Sequence, residues 1–323
     1  MTARPVEVVV GDRRWDLPGF LDLCGSALGL CATEAGDLHR LREALTGVPL
    51  PAPVETDRWV QFDVAVTGAG PRLYAGLAAA VTGLRDSGLL GDFFLMHKSP
   101  GLRLRCRATG DTAALCRRIG DSLAWLRDDG LIGDHHPWRY EPEQRLFGGP
   151  VSMRHVHRLF TADTAAWLDV HAAGPHSPAT VWAMSLLMIR ALLDALGVTG
   201  WEDLDVWDRI ERHGGRVLAP AAATDPRAVR LISALRRGWA DPDSLGGRLP
   251  APARAALDTW RAAVPAIAAD WISEYFATGA ATVGPRAAAA FTVIFHWNRA
   301  RLPLGQQALI THALAARTPG VAS

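Results

Sequence analysis

The chain has 323 residues, of which 49% are hydrophobic and 21% are charged, and its formal net charge is +1. A chain of this length can bury a substantial core, in one large domain or two smaller ones. The near-neutral charge and the scattered basic residues argue against a nucleic-acid partner. The first apolar run, at residues 6–10, is too short for a signal peptide or a membrane span. A cytoplasmic protein without membrane contact is therefore expected.

Residues 1–56 are predicted to form an N-terminal extension ahead of a main domain at residues 57–323. The extension contains a short predicted strand at residues 6–10 and a predicted helix near Gly36 to Leu45. It ends in a Pro-rich stretch, residues 49–53, that is typical of an extended linker. The extension is a candidate for contact with a peptide partner.

The first part of the main domain, residues 57–150, is predicted to contain four strands and two helices. Alternating apolar residues predict strands at Trp59 to Val66, Asp92 to Met96, Leu102 to Arg107 and Trp138 to Phe147. Helical periodicity is found from Pro71 to Leu84 and from Asp111 to Asp128. The Pro100-Gly101 pair predicts a hairpin turn between the two middle strands. The resulting order of elements is that of the split βαβ, or ferredoxin-like, fold.

The second part of the main domain, residues 151–323, is rich in Ala and Leu and is predicted to be helical. Gly and Pro separate its helical segments, which are expected near residues 151–172, 178–196, 225–238, 251–277, 285–300 and 304–316. The fold class is therefore α+β, with a ferredoxin-like sheet region followed by a helical half that packs on it.

The predicted hairpin carries the first candidate functional cluster. Because side chains alternate along a strand, Arg103 and Arg105 project from the same face, and Arg107 continues the row. Three guanidinium groups on one face can hold a carboxylate or a peptide carbonyl. The alternative is a solvated outer face of the sheet, which spacing alone favours.

The second cluster lies between Tyr140 and Gly149 and continues into the helix that follows. Tyr140 and Glu143 precede His155 and His157 in this segment. Imidazoles beside a carboxylate are a plausible acid/base set. Surface pairing and helix capping are the alternative, and spacing alone favours that alternative.

The third cluster is Phe295 to Arg299, late in a very apolar predicted helix. It places His296 next to Trp297, Asn298 and Arg299. A lone histidine in such a helix is more often a core residue with satisfied hydrogen bonds. The sequence therefore leaves both a catalytic and a structural role open for His296.

The usual signatures of cofactor binding and of hydrolysis are missing from the sequence. It contains no phosphate-binding glycine loop, no HExxH and no GxSxG. The four cysteines have neither CxxC spacing nor a neighbouring histidine cluster of the kind that binds zinc. No metal and no cofactor are expected.

Taken together, the three clusters resemble the C-terminal elimination domain of lantibiotic dehydratases and its relatives in thiopeptide biosynthesis. In that family a hairpin ending in HLRLR, a YxxExxRYGG segment and a late HxNR-like segment occur in this order. Matching segments run from Trp59 to about Leu314 and so cover most of the chain. Three moderately specific motifs in the right order identify the family more strongly than any one of them.

Departures from the family pattern indicate which branch this chain resembles. The arginine of YxxExxRYGG is thought to assist glutamate elimination, and Leu146 stands at the aligned position, with Phe147 in place of the tyrosine. A leucine cannot stabilise a departing carboxylate. His157 replaces the acidic residue expected on the next helix, whereas Asp163-Thr164 still resembles an Asp-Ser pair of the relatives. The chain therefore resembles the pyridine synthases, which have lost elimination chemistry.

The resemblance implies a formal [4+2] cycloaddition between two dehydroalanines of a precursor peptide that carries a leader and azoles. It implies acid/base or orienting roles for His296, Tyr140, Glu143 and His157. Substrate contacts are expected from Arg103, Arg105, Lys98, Ser99, Asn298, Arg299 and Trp297. Trp182 and Trp271 are further candidates for stacking on azoles, although each of these tryptophans is more often a core residue.

Two alternative functions remain open at this point. A split eliminase would convert glutamylated serine to dehydroalanine, and Leu146 is the feature against it. A scaffold protein without catalytic activity would bind the leader peptide only. In either case the leader could add to an edge of the sheet as an extra strand.

Overall fold

A computed structural model of the chain divides into two compact units, residues 1–52 and residues 53–323. The structure describes residues 7–10, 13–16, 58–68, 70–99 and 101–315. In the first unit, β1 (Glu7–Val10) pairs antiparallel with β2 (Arg13–Asp16). The strand predicted at residues 6–10 is thus present. The predicted helix near Gly36 and the Pro-rich linker lie outside the described residues.

The second unit begins with an antiparallel sheet whose topology confirms the predicted ferredoxin-like order. Its elements are β3 (Trp59–Val66), α1 (Pro71–Asp86), β4 (Leu90–Lys98), β5 (Gly101–Ala108), α2 (Thr112–Asp128) and β6 (Ile132–Trp138). The strands lie in the order β4-β5-β3-β6. Lys98 pairs with Gly101 across the predicted hairpin turn. Asp111 caps α2, because its carboxylate accepts hydrogen bonds from two backbone N–H groups of the first turn.

The last strand of the sheet lies earlier in the chain than predicted. It spans Ile132–Trp138, and the segment from Tyr140 to Gly149 is irregular, with turns at residues 144–148, instead of the predicted extension. The physical reason is the tight end of α2, where Gly130 adopts a φ of 71° and reverses the chain. The N–H of Leu131 then bonds back to Leu126, so the strand starts at once.

The helical half consists of nine α-helices and one π-helical turn among the described residues. They are α3 (Pro150–Ala172), α4 (Pro178–Ala195), α5 (Asp203–Gly214), α6 (Pro220–Ala223), α7 (Pro226–Ala240), α8 (Pro242–Gly247), α9 (Ala251–Trp271), the π-helical turn (Ile272–Phe276), α10 (Pro285–Arg299) and α11 (Leu304–Ala315). The six predicted helical segments are found. The helix α5 was not predicted, because its polar sequence lacks the Ala/Leu-rich pattern of its neighbours.

One described helix, α4, is long and apolar enough to cross a membrane by length and composition alone. Half of its residues are buried inside the protein. A helix of this kind is also what the core of a water-soluble domain contains, so the finding is weak evidence for a membrane span.

The two faces of the sheet pack into two different hydrophobic cores. Leu102, Leu104 and Cys106 of β5 belong to a core that the sheet forms with α1 and α2. Trp59 and Phe94 project into the second core, which the helical half forms around α3. The sheet is therefore buried on both faces, and polar residues on the second face must find partners inside the protein.

The edge of the sheet at β4 is closed by side chains from the helical half. The N–H of Phe93 donates to Thr161 Oγ1 at 2.9 Å, and Thr164 of the same helix, α3, receives a further N–H of the strand. At the end of the strand, Asn298 accepts the N–H of His97 and donates to its carbonyl, both at 2.7 Å. Since three N–H groups and one carbonyl of this edge already have side-chain partners, β4 is a poor template for another strand.

The turn before α3 depends on two consecutive glycines. Gly148 and Gly149 have φ values of 84° and 112°, which L-residues rarely adopt. A Cβ at Gly148 would overlap the hydroxyl of Tyr275. That hydroxyl is fixed, because it accepts the N–H groups of Thr282 and Val283 at 3.0 and 3.1 Å.

We therefore expect Gly148→Ala to lower the free energy of unfolding by about 1 to 3 kcal/mol, the usual range for a strained backbone position. Gly120→Ala is the matched control, because Gly120 lies within α2 and a Cβ there meets no atom within 4 Å. This control should raise stability by about 0.5 to 1 kcal/mol, the helix preference of Ala over Gly. Urea unfolding measures both values, and equal stabilities for the two variants would contradict the turn's role.

Candidate functional site

The three arginines of β5 lie on the face of the sheet that meets the helical half, and each has a carboxylate partner. Arg103 lies 3.3 Å from Asp63, and Arg107 lies 2.8 Å from Asp92. Both of these pairs remain partly exposed. Arg105 is the one that the helical half covers, since only 5% of its surface is exposed. The three arginines lie on one face of the strand, as the alternation of side chains predicts. At Arg105 this face lies inside the protein.

Arg105 is held by contacts from both layers of the protein. Its Nε donates to Gln61 Oε1 of β3 at 2.8 Å. Its guanidinium lies over the rings of Phe94 and Tyr140, at 5.1 and 4.7 Å from their centroids. Its Nη1 is 3.6 Å from Glu143 Oε1, which is a charge contact without a hydrogen bond. The guanidinium is therefore fixed in direction while one of its N–H groups stays available.

Tyr140 and His157 form a buried neutral pair beside Arg105. The Tyr140 hydroxyl lies 2.8 Å from His157 Nε2. Burial, aided by the charges of Arg107 and Arg105, lowers the pKa of His157 to about 3. Burial, aided by the charge of Glu143, raises the pKa of Tyr140 well above its ordinary value. At neutral pH the tyrosine is therefore protonated and the imidazole uncharged, and the direction of the hydrogen bond between them follows the tautomer of His157.

A second buried pair joins α3 to α10. Arg299 is fully buried, and its Nε donates to Asp163 Oδ2. Burial lowers the pKa of Arg299 and by itself would raise that of Asp163. The charges of Arg299 and His296 reverse this effect and hold the pKa of Asp163 below its usual range. The charge of Arg105 also lowers the pKa of Arg299, and the charge of Glu143 raises it.

His296 lies in the interior on the other side of Asp163. Its Nδ1 is 2.6 Å from Asp163 Oδ1, and its Nε2 is 3.0 Å from the Ser185 hydroxyl. An ionised carboxylate only accepts hydrogen bonds, so Nδ1 carries the proton and Ser185 donates to Nε2 when the ring is neutral. This connectivity is that of a Ser-His-Asp triad, but the adjoining space is only about 10 Å³. Such a space holds at most one water molecule, which leaves no room for a substrate.

Four buried polar atoms in this region have no hydrogen-bond partner within the described part of the chain. They are Arg105 Nη1, Glu143 Oε2, Gln144 Oε1 and Arg299 Nη2. Buried polar atoms are rarely left unpaired, and each such atom needs an explanation, which can be a bound ligand. The Arg105 cluster, which we define as Gln61, Arg105, Tyr140, Glu143, His157 and Arg299, is therefore the candidate functional site.

The structure brings some of the predicted site residues into this cluster and leaves others outside it. Lys98 and Ser99 are exposed at the hairpin turn. Asn298 is used in pairing with β4. Trp297 is fully buried and lies 6.2 Å from Trp207, so it belongs to the core. The roles assigned to these residues in substrate contact stay predictions.

Of the other predicted tryptophans, Trp271 is also fully buried and donates to Ser152 Oγ at 2.8 Å. Trp182 is half-buried and donates to Gln306 Oε1 at 2.8 Å. Gln61 and Ser185 were not singled out from the sequence. Gln61 was detectable in principle, because it is a polar residue on the same strand face as the buried Trp59. Ser185 gave no signal within its apolar helix.

Leu146 and the arginine next to it in the chain both lie at the protein surface. The Leu146 side chain is 37% exposed, and the neighbouring Arg145 is exposed as well. Phe147 is fully buried in the helical core. No cluster of three or more histidine, cysteine or acidic side chains that could hold a metal ion occurs among the described residues.

The model of the family described as lantibiotic biosynthesis dehydratase C-term matches residues 59–318, and the chain belongs to this family of enzymes of ribosomal peptide modification. The fold is similar to the crystal structure of the tRNA-dependent lantibiotic dehydratase MibB from Microbispora sp. 107891, at 22% identity and a TM-score of 0.53. That match covers 83% of this chain and 28% of the MibB chain, so this protein spans little more than a quarter of MibB.

A second similar structure is that of TsrL, at 15% identity and a TM-score of 0.49. The match covers 80% of this chain and 93% of the TsrL chain. A search of curated protein sequences finds no significant match.

The buried neutral histidines predict that the protein loses stability in mild acid. Burial lowers the pKa of His157 to about 3 and the pKa values of His97 and His171 to about 4. The unfolded chain binds these protons near pH 6.5, whereas the folded chain does not. The resulting stability is present above pH 6.5 and is lost as the pH falls toward 4.

We expect the free energy of unfolding to fall by at least ~2 kcal/mol between pH 6.5 and pH 5, as measured by urea unfolding at each pH. A His157→Phe variant should show a shallower decline, because one of the three titrating groups is gone. A free energy of unfolding that stays constant over this range would mean that these histidines are protonated in the folded protein.

Proposed function

We propose that this protein catalyses the formal [4+2] cycloaddition between two dehydroalanines of a precursor peptide, which forms a central pyridine and a macrocycle. The leader peptide and water leave in the same process. Membership of the family supports an enzyme that acts on a ribosomal precursor peptide. The specific reaction rests on the chemistry of the Arg105 cluster, where a donor and an acceptor are left open side by side.

The observation that carries this proposal is the pair of unpartnered atoms at Arg105 Nη1 and Glu143 Oε2. The two side chains approach to 3.6 Å, and Arg105 is fixed by the rings of Phe94 and Tyr140 and by Gln61. A residue in an extended peptide offers the complementary groups on one side, because its own N–H donates and its own carbonyl oxygen accepts there. The pair is therefore suited to hold the N–H and the carbonyl of one substrate residue.

The same arrangement supports the proton movement that the reaction needs. In the first step Glu143 takes the N–H proton of a dehydroalanine, and a proton from solvent adds to the oxygen of the same amide, which gives an iminol and so a 2-azadiene. Arg105 holds the carbonyl of the same dehydroalanine and so orients the diene. Two new C–C bonds to the second dehydroalanine close the ring. Loss of water and then of the leader as a carboxamide yields the pyridine, and no electrons are exchanged with a redox partner.

Other members of the cluster have supporting roles in this proposal. Tyr140 and His157 provide a neutral pair through which a proton can be relayed at pH 7. Arg299 offers a second donor at Nη2. His296 positions Arg299 through Asp163 and does not meet the substrate, because its ring faces sealed space. Proximity is the other contribution, since holding both alkenes in place can remove up to ~7 to 11 kcal/mol of barrier.

The surroundings of Leu146 weigh against glutamate elimination. An eliminase needs a cation to stabilise the departing glutamate, and both Leu146 and Arg145 face solvent in this chain. The precursor's leader is proposed to contact the N-terminal extension or the sheet edge at β6, because the edge at β4 is already paired. The proposed enzyme is cytoplasmic and uses no cofactor.

The direct test is incubation of the purified protein with a linear precursor that carries azoles and dehydroalanines, followed by mass spectrometry. Macrocycle formation with release of the leader carboxamide is the expected result. Conversion of a glutamylated precursor to dehydroalanine would instead identify an eliminase. Binding of the leader without any change in mass would identify a scaffold protein.

Glu143→Gln should slow macrocycle formation at least ~100-fold, because the amide keeps the shape of the carboxylate but cannot accept a proton at neutral pH. Glu274→Gln is the matched control, since Glu274 is exposed and pairs with His155 at 3.2 Å outside the cluster. Single-turnover rates of both variants, with their melting temperatures, make the comparison. A Glu143→Gln enzyme with near-normal turnover would exclude Glu143 as the proton acceptor.

A further inference from the structure

Four residues that pair across the sheet form one row on the face that meets the helical half. The row consists of Phe94 on β4, Arg105 on β5, Gln61 on β3 and Trp138 on β6. Residues that are directly opposite in antiparallel strands project from the same face, and their Cβ atoms lie about 4.5 to 5.5 Å apart. Trp138 is therefore the next residue in the row after Gln61, which binds Arg105.

The helical half covers this row at Arg105 and leaves it open at Trp138. Gln61 is 2% exposed and Arg105 is 5% exposed, whereas Trp138 is 67% exposed. No ring contact or hydrogen bond of the Trp138 indole is found within the described part of the chain. Tryptophan carries the largest apolar ring, which other groups usually cover for the most part. An open indole one strand from Gln61 therefore offers its ring face to a molecule bound at the Arg105 cluster.

The place of Trp138 is fixed by its backbone and not by contacts of its ring. The residue pairs with Gln61 as the last residue of β6. Two residues later the chain is anchored again, because the ring of Tyr140 is buried 5.1 Å from that of Trp59 and 4.7 Å from the guanidinium of Arg105. A side chain held in this way has little freedom of its backbone to lose when a ligand covers it, which favours binding.

The charged residues next to Trp138 on this face of the sheet neutralise each other. Arg103 of β5 is opposite Asp63 of β3, in the row beside that of Trp138. The two side chains lie 3.3 Å apart, and both are partly exposed. A charged ligand group therefore gains little here, whereas the face of an indole favours contact with another flat ring.

We propose that Trp138 is a stacking platform for an uncharged planar ring of the substrate peptide. That the ligand is a peptide rests on the proposed function, whereas the planar ring rests on the open indole. Trp138 lies two strand spacings from Arg105, roughly 10 Å, and an extended peptide advances roughly 3.3 Å per residue. The ring therefore belongs to a residue about three positions away from the one that Arg105 and Glu143 hold. The ring is either a five-membered heterocycle or an aromatic side chain.

Three capped peptides of the same length serve as probes. Each has dehydroalanine at its second position, and the fifth position carries a thiazole ring in the first peptide, phenylalanine in the second and alanine in the third. Binding is followed by fluorine nuclear magnetic resonance of the full chain labelled with 5-fluorotryptophan, at peptide concentrations up to ~10 mM, a range suited to weak binding. The signals of Trp138 and Trp201 are assigned from their loss in Trp138→Phe and Trp201→Phe.

A saturable shift of the Trp138 signal is expected with a ring-bearing peptide, and the alanine peptide should bind more weakly. The first two peptides then distinguish a heterocycle from an aromatic side chain. By calorimetric titration, Trp138→Ala should bind the preferred ring-bearing peptide at least ~10-fold more weakly, because the stacked ring loses its partner. Its affinity for the alanine peptide and its melting temperature should stay unchanged, and Trp138→Phe, which keeps a ring, should retain most of the binding.

Trp201→Ala is the matched control, since Trp201 is also 67% exposed and lies just before α5. It should bind all three peptides as the unaltered protein does.

No saturable binding, an equal loss of affinity for all three peptides in Trp138→Ala, or unaltered binding by this variant would each overturn the proposal. A dimer that dissociates on Trp138→Ala, as measured by sedimentation, would also overturn it, because a second copy would then cover the indole. These outcomes are separate from those that test the reaction. A protein that converts the dehydrated precursor equally well without the indole would refute the platform alone. A protein that stacks rings on Trp138 but never forms a macrocycle would refute the proposed reaction and leave the platform in place.

Discussion

The burial of the Arg299 guanidinium against Asp163 is the interaction on which the rest of this structure depends. Moving a charge from water into a protein interior costs several kcal/mol, and only a close carboxylate with further hydrogen bonds offsets that cost. Asp163 on α3 supplies this carboxylate, and its second oxygen is hydrogen-bonded to His296. Since these groups come from α3 and α10, neither helix can shift without leaving a buried charge unpaired. The position of α10 in turn fixes Asn298, which closes the edge of the sheet.

The same balance of charge explains why the candidate site lies where it does. Arg105 enters the interior from the sheet, but its carboxylate, Glu143, is too far away for a hydrogen bond and keeps one oxygen unpaired. The Asp163 pair is hydrogen-bonded and fully buried, whereas the Glu143 pair lacks a hydrogen bond and is partly exposed. The hydrogen-bonded pair maintains the fold. The pair next to it retains a donor and an acceptor for another molecule, and the N–H and carbonyl of one peptide residue satisfy both.

Local patterns in the sequence were enough to predict much of the fold. Alternation along β5 placed Arg103 and Arg105 on one face, and the Pro-Gly turn gave the hairpin correctly. The last strand was misplaced, because the helix-ending role of Gly130 outweighed the extended appearance of the segment after Trp138. Local pattern also could not tell which face of the sheet the helical half covers. That choice depends on contacts between residues far apart in the chain, such as the approach of Thr161 to Phe93.

The candidate site, like the fold, could be predicted from the sequence only in part. Tyr140, Glu143 and His157 were identified from their motifs, and they do lie together around Arg105. His296 matched a motif equally well but lies in sealed space, and sequence has no means of showing whether a cavity adjoins a side chain.

The central claim is that Arg105 and Glu143 hold the carbonyl and the N–H of one dehydroalanine residue of a dehydrated peptide. A crystal structure of the Glu143→Gln variant with a linear dehydroalanine-containing precursor tests it most directly, because the slowed enzyme retains its substrate. The account predicts a dehydroalanine carbonyl oxygen at about 2.7 to 3.2 Å from Arg105 Nη1, with its amide nitrogen facing the side chain at position 143. A peptide bound elsewhere, with only water between these two side chains, would contradict the account.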